Sequence, residues 1–195
     1  MTKSYKLLEA ELEKMAFRDG ACIIMAINPD DVEVSNWVRL KCQYGCPSYG
    51  KKLSCPPYSP TPEDTRKVLK EYSKAYLIGY SGSIFKGYGE EKFGEIFPKA
   101  LKQIRKSILE LEKHSFLSGY YKSFTYGFCG PCTLCKQCSA ENGDLTCKLP
   151  KESRPSMEAA GMDVFKTVRN AGLELEVQNE VNQNDLRMYT LLLLE

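Results

Sequence analysis

Nine cysteines fall into two tight groups and one outlier, and their spacing constrains this chain more than any other feature. The denser group reads Cys129-Gly-Pro-Cys132-Thr-Leu-Cys135-Lys-Gln-Cys138, with Cys147 after an eight-residue gap and Pro150 three positions beyond. Two-residue gaps let successive thiolates converge on one inorganic centre. The looser group is Cys42-Gln-Tyr-Gly-Cys46-Pro-Ser-Tyr-Gly-Lys-Lys-Leu-Ser-Cys55-Pro56-Pro57. It reads as a loop stiffened by glycine and proline turns, with three thiols and no local fourth. Cys22 stands alone in the apolar run Ala21 to Ile27, which reads as a buried strand with Cys22 in the core. The first six residues lead straight into an amphipathic pattern instead of an export signal, so the chain is expected in the reducing cytoplasm. There, clustered thiols are better read as metal ligands than as disulfides, and an odd count argues against full pairing.

Cys132, Cys135, Cys138 and Cys147 can ligate a [4Fe-4S] cluster. The match to a bacterial ferredoxin is poor, because that pattern puts its fourth cysteine after three residues and follows it directly with proline. A tetrahedral zinc knuckle is the lesser alternative, since zinc prefers two separated pairs to four thiols at successive short steps. Cys129 is left over. Joined to Cys42, Cys46 and Cys55 it would complete a second site. Alternatively those three thiolates hold a cluster with one open iron that acts as a Lewis acid, or a zinc, or nothing. The spacing is not the CxxxCxxC of radical-SAM enzymes. Arg154, close in sequence to Cys147, can offset cluster charge, and an ordinary helix start is an equal reading of Arg154 to Glu158. Tyr44, Tyr49, Tyr58, Tyr120, Tyr121 and Tyr126 flank the cysteines, as a water-excluding shell or as simple packing.

The remaining composition removes other chemistries. A single histidine, His114, rules out most Ser-His, Cys-His and multi-histidine sites and reads as a surface residue at a helix end. A net charge of +2 without any block of like charges implies no nucleic-acid partner, and no apolar stretch is long enough to span a bilayer. With 195 residues the chain is expected to be a single domain, with metal-binding segments at about 42–57 and 129–150. Helices are expected from residue 5 to 17, from Thr61-Pro62-Glu63-Asp64 to about Ser73, along Ala100 to Leu111 with Pro98 near the first turn, and from an Asp163 cap to Asn170. Strands are expected at Ala21 to Ile27, Ala75 to Tyr80, Leu173 to Val177 and Met188 to Leu194. The Lys86-Gly87-Tyr88-Gly89 stretch reads as a mobile surface loop. The fold class that follows is α/β, with α+β possible: a central sheet with helices and cysteine-rich metal-binding insertions.

Three segments also carry a resemblance. They are Cys42-x3-Cys46-Pro-Ser-Tyr-Gly-Lys with Cys55-Pro-Pro-Tyr, the Cys132, Cys135, Cys138 run with Cys147, and Arg154-Pro-Ser-Met-Glu-Ala-Ala-Gly-Met-Asp-Val164. In these the chain resembles a Cys-rich family of predicted metal-binding proteins of unknown function, found mainly in anaerobic bacteria and archaea. The resemblance implies an iron-sulfur protein of anaerobic metabolism, without naming a reaction. Three functions are then open. The first is electron transfer or a redox accessory role with one or two [4Fe-4S] clusters and a redox protein partner. The others are a reductase or sulfur-handling enzyme using an open iron, and a zinc-stabilised interaction module.

Overall fold

A computed structural model describes residues 3–81, 93–177 and 187–195. Four strands, β1 (Ala21–Ile27), β2 (Lys74–Ser81), β3 (Phe124–Tyr126) and β4 (Arg187–Leu194), form one sheet in the order β1-β2-β4-β3, antiparallel at every pairing. The helices are α1 (Tyr5–Arg18), α2 (Asn36–Gly45), α3 (Pro62–Leu69), α4 (Phe93–Leu117) and α5 (Val164–Asn170). The class is therefore mixed, on its α+β side.

The central strands β2 and β4 are buried on both faces, and the pleat sorts their side chains into two cores. Tyr76, Ile78 and Tyr80 of β2 meet Leu8, Leu12 and Ala16 of α1 and Ile104, Ile108 and Leu111 of α4. Ala75 and Leu77 face Leu69 of α3, Val164 and Val168 of α5, and Met157 and Met162. Each fully buried leucine or isoleucine contributes about 1.5–3 kcal/mol, so these layers hold the sheet without help from a metal. Gly79 fits the second face because a Cβ there would stand 2.5 Å from Ile23 Cγ2.

Local signals explain most element ends. Thr61 Oγ1 accepts from Asp64 N–H at 3.1 Å while Asp64 Oδ2 accepts from Thr61 N–H at 3.2 Å, closing a capping box on α3. Asp163 Oδ1 accepts from Lys166 N–H at 3.0 Å and starts α5. His114, in the last turn of α4, meets Glu11 of α1 at 2.7 Å, and Lys3 meets the same carboxylate, so the expected helix-end residue clamps two helices together.

Several expectations need correction. Cys22 is exposed, not core: β1 is an edge strand, its pairing with β2 shifts register between Ala21 and Ile23, and the thiol turns to Gly79 O at 3.3 Å. Residues 173–177 form no strand, because β4 already has β2 and β3 on its two edges; Leu173 and Leu175 instead lean on the second core. Pro98 lies inside α4 and not at its start. The helix α2 and the three-residue β3 are additions. No separate cysteine-rich insertion stands apart among the described residues, since the first cysteines begin on α2 itself. Lys86 to Gly89 lies outside the described residues. Among the described residues no helix is long and apolar enough to cross a membrane.

Candidate metal centre

Cys42 sits in the last turn of α2, and Cys46 caps its C-terminus, donating its N–H to Cys42 O at 3.3 Å. These two thiols are therefore fixed by a helix end, not carried on a loop as their glycine and proline neighbours imply. The chain then turns at Gly50, whose φ of +72° favours glycine and whose N–H donates to Pro56 O at 2.9 Å. Cys55 lies in this closed turn, 8% exposed, just before a cis Pro56–Pro57 bond.

Facing these residues is a 3₁₀ turn, Glu158–Ala160. Arg39 of α2 donates to Ala159 O at 2.7 Å, to Ser59 Oγ at 3.0 Å and to Pro60 O at 3.2 Å. Ser59 Oγ also donates to Ala159 O at 2.6 Å, and Thr65 Oγ1 to Ala160 O at 2.7 Å. Gly161 ends the turn with φ +84°, and a Cβ there would stand 2.7 Å from Pro62 Cγ. The Arg154-to-Val164 motif is thus a brace with Met157, Ala160 and Met162 wholly covered, held against α2 through Arg39.

The electrostatics tie four thiols together. Burial raises Cys42, with Cys46 adding to it and the Arg39 guanidinium opposing it. Burial also raises Cys55, opposed by the Ser54 hydroxyl and by a hydrogen bond from the Cys132 backbone. Cys129 is exposed as a residue, and its thiol is pushed up by desolvation first, then by Glu158 and by Cys42, Cys46 and Cys55. Glu158 itself is pushed up to about 7 by desolvation, opposed first by its own backbone amide and then by the Ser156 hydroxyl.

The second group follows β3 in a stretch with little regular structure. Cys132, Cys135, Cys138 and Cys147 line one recess together with Lys52, Ser139 and Leu149. Lys52, from the first cysteine loop, donates to Glu141 Oε1 at 2.7 Å, and the same oxygen accepts from Cys138 N–H at 3.1 Å. The ammonium of Lys52 is held charged first by Glu141, then by the fields of Cys138 and Cys132. Arg105 of α4 donates to Thr133 Oγ1 at 3.3 Å. Arg154 is engaged elsewhere: it pairs with Glu112 of α4, donates to Ser153 O at 2.8 Å and stacks 5.2 Å from the Phe124 ring. It shapes the turn that follows Cys147, while the cations that line the recess are Lys52 and Lys148. Of the tyrosines, Tyr120 and Tyr126 are buried in the two cores, and Tyr44 and Tyr121 are largely exposed.

Among the described residues, two buried side-chain polar atoms have no hydrogen-bond partner: Ser139 Oγ and Glu158 Oε2. Buried polar atoms are almost always satisfied. Ser139 lines the recess of the second group, and Glu158 stands on the 3₁₀ turn that Arg39 of α2 holds beside the first. Sequence patterning singles out neither atom. All nine cysteines are free thiols, and no three His, Cys, Asp or Glu side chains among the described residues are arranged to hold a metal ion.

A family model described as "Predicted metal-binding protein (DUF2284)" matches residues 25–194, which include all eight grouped cysteines and the Glu158 turn. No curated protein and no solved structure matches.

Proposed function

Since the chain belongs to this family of predicted metal-binding proteins, we propose that it is an iron-sulfur protein that carries electrons through one or two [4Fe-4S] clusters to a redox partner. Cys132, Cys135, Cys138 and Cys147 hold one cluster; Cys42, Cys46 and Cys55, with Cys129, hold the other. The observation that carries this reading is the placing of the two unpartnered polar atoms, one at each cysteine group. Each is a hydrogen-bond or coordination site with its partner missing, and a thiolate-bound inorganic cluster supplies one in both places. When bound, such a cluster supplies a one-electron couple.

The chain's own residues have distinct parts. Lys52 would offset the negative charge of a cluster on the second group, as Arg154 would from farther off, and the Ser139 hydroxyl would be free to donate to it, which favours the reduced state. A hydrogen bond from the Cys132 backbone bears on Cys55, and only two residues separate Cys129 from Cys132, so the chain ties the two groups together. A groove on α4 carrying Lys99, Lys102, Arg105, Lys106 and Lys113 against Glu110 and Glu152 shares Leu134 with the recess. It offers an acidic redox protein a landing face beside the second cluster.

Anaerobic purification followed by iron and acid-labile sulfide analysis tests this, with EPR of the dithionite-reduced protein. Equal iron and sulfide and a reduced-cluster signal are expected. Stoichiometric zinc without sulfide would replace the reading with a zinc-stabilised module.

A further inference from the structure

We propose that the outward face of α2 is a two-fold interface with a second copy of this chain, in which Trp37 of each copy packs on the partner's Tyr44 and Leu40 lies at the axis. The inference goes beyond the iron-sulfur reading and does not depend on what the cysteines hold.

One face of α2 is rooted in the fold. Val38 is buried, and Arg39 donates to Ala159 O, Ser59 Oγ and Pro60 O. The opposite face carries Trp37, Leu40 and Tyr44, exposed to 46%, 54% and 81%. Steps of three and four residues put these side chains on one stripe, turned away from Val38 and Arg39. Single exposed apolar side chains are ordinary, whereas a contiguous stripe marks a contact surface. At about 150–250 Å² for each aromatic side chain and somewhat less for leucine, the three leave roughly 300–400 Å² uncovered. A standard interface takes about 800 Å² from each partner, so the stripe supplies about half of one and, with its rim, suits a reversible dimer.

The stripe is self-complementary. Trp37 lies three residues before Leu40 and Tyr44 three after Lys41, so its midpoint falls between Leu40 and Lys41. A two-fold axis at that point runs the two helices antiparallel, sets each indole against a phenol ring, and lays Leu40 on the partner's Leu40 and on the aliphatic stem of the partner's Lys41. A dissimilar partner would require no such symmetry. The helix holds no carboxylate, and its charges are Arg39, turned inward, and Lys41, so the centre of the contact is poor in charge, as interface cores are. Because Arg39 already fixes the helix, little ordering is lost on contact. Tyr44 lies between Cys42 and Cys46, so the partner's Trp37 covers the helix end that carries both thiols.

The test is sedimentation equilibrium of the full chain between about 1 μM and about 1 mM, with tryptophan emission read over the same range. Reducing buffer keeps the exposed Cys22 from joining copies. Trp37 is the sole tryptophan, so its emission reports this face alone. A monomer–dimer equilibrium is expected, with the emission moving to shorter wavelength as the dimer forms. Leu40→Lys sets like charges across the axis and is expected to weaken association at least about tenfold. Leu40→Glu faces the partner's Lys41 and is expected to associate several-fold more tightly than Leu40→Lys at low salt, the gap closing at high salt. Leu40 is exposed, so both variants are expected to keep the far-UV circular dichroism of the parent. A monomer at every concentration, a dimer whose Trp37 emission never moves, or equal association of the two Leu40 variants would overturn the assignment.

Discussion

The two cysteine groups are built on opposite plans. The first is framed by α2, the capped start of α3 and the Glu158–Ala160 turn, and a network through Arg39, Ser59 and Thr65 locks these parts together. The second lies in residues 127–153, where the only helical element is the 3₁₀ turn Ser139–Asn142, and Phe128 in the first core, the bridge of Gly127 to Ser156, Lys52 to Glu141 and Arg105 to Thr133 tie it to the rest of the chain. The first site is framed by packed elements, and the second by a stretch with little regular structure. A preorganised site can exchange a ligand without losing its frame, and a bound-ordered site holds its potential steady only while it is filled.

Removing the metal strikes at this difference most strongly. In chelator-treated protein, amide hydrogen exchange in residues 127–153 is expected to speed up by about a hundredfold, and in residues 36–66 by less than about tenfold. Equal acceleration in both segments would erase the distinction. The frame can also be broken from the other side with Gly161→Ala, which places a Cβ against Pro62 at a left-handed backbone position. A loss of about 2–4 kcal/mol is expected, seen as a Tm lower by roughly 5–12 °C, with iron lost from the first group before the second.

Smaller changes sharpen the picture. Arg39→Met removes donors to three oxygens around the first group and is expected to cost about 2 kcal/mol in denaturant titration. Lys52→Met removes a partly exposed ion pair and should cost less than about 1 kcal/mol, with its effect confined to the spectrum of the second cluster. Acid gives the control that ignores both groups. Lys3, and then His114, hold the Glu11 carboxyl below its ordinary value of 4.5. The folded state thus binds this proton less readily than the unfolded one, so the stability it adds is present above about pH 4.5 and is lost as pH falls through the folded value. Glu11→Gln should flatten that limb of a pH–stability curve slightly, without altering metal content.

Legibility in the sequence tracks the same physics. The helices α1, α4 and α5 and the strands β2 and β4 were readable because their apolar residues face a core with regular period, and α3 because Thr61 and Asp64 are close in sequence. The helix α2 was not, since Val38 is its one buried side chain while Trp37, Leu40 and Tyr44 are exposed and blur the period. Three residues of β3 are too few to register as a strand. At the candidate site spacing alone singles out the eight grouped thiols as candidates. Their surroundings were not readable: Lys52 meets Glu141 from 89 residues away, and the turn that carries Glu158 comes beside the first group only through the fold.

Anomalous diffraction at the iron and zinc edges, from a crystal grown without oxygen, tests the central claim most directly. Iron density among Cys132, Cys135, Cys138 and Cys147, and again beside Cys42, Cys46 and Cys55, is the result expected. Zinc density at either place, or sulfurs joined as disulfides with no metal between them, would contradict it.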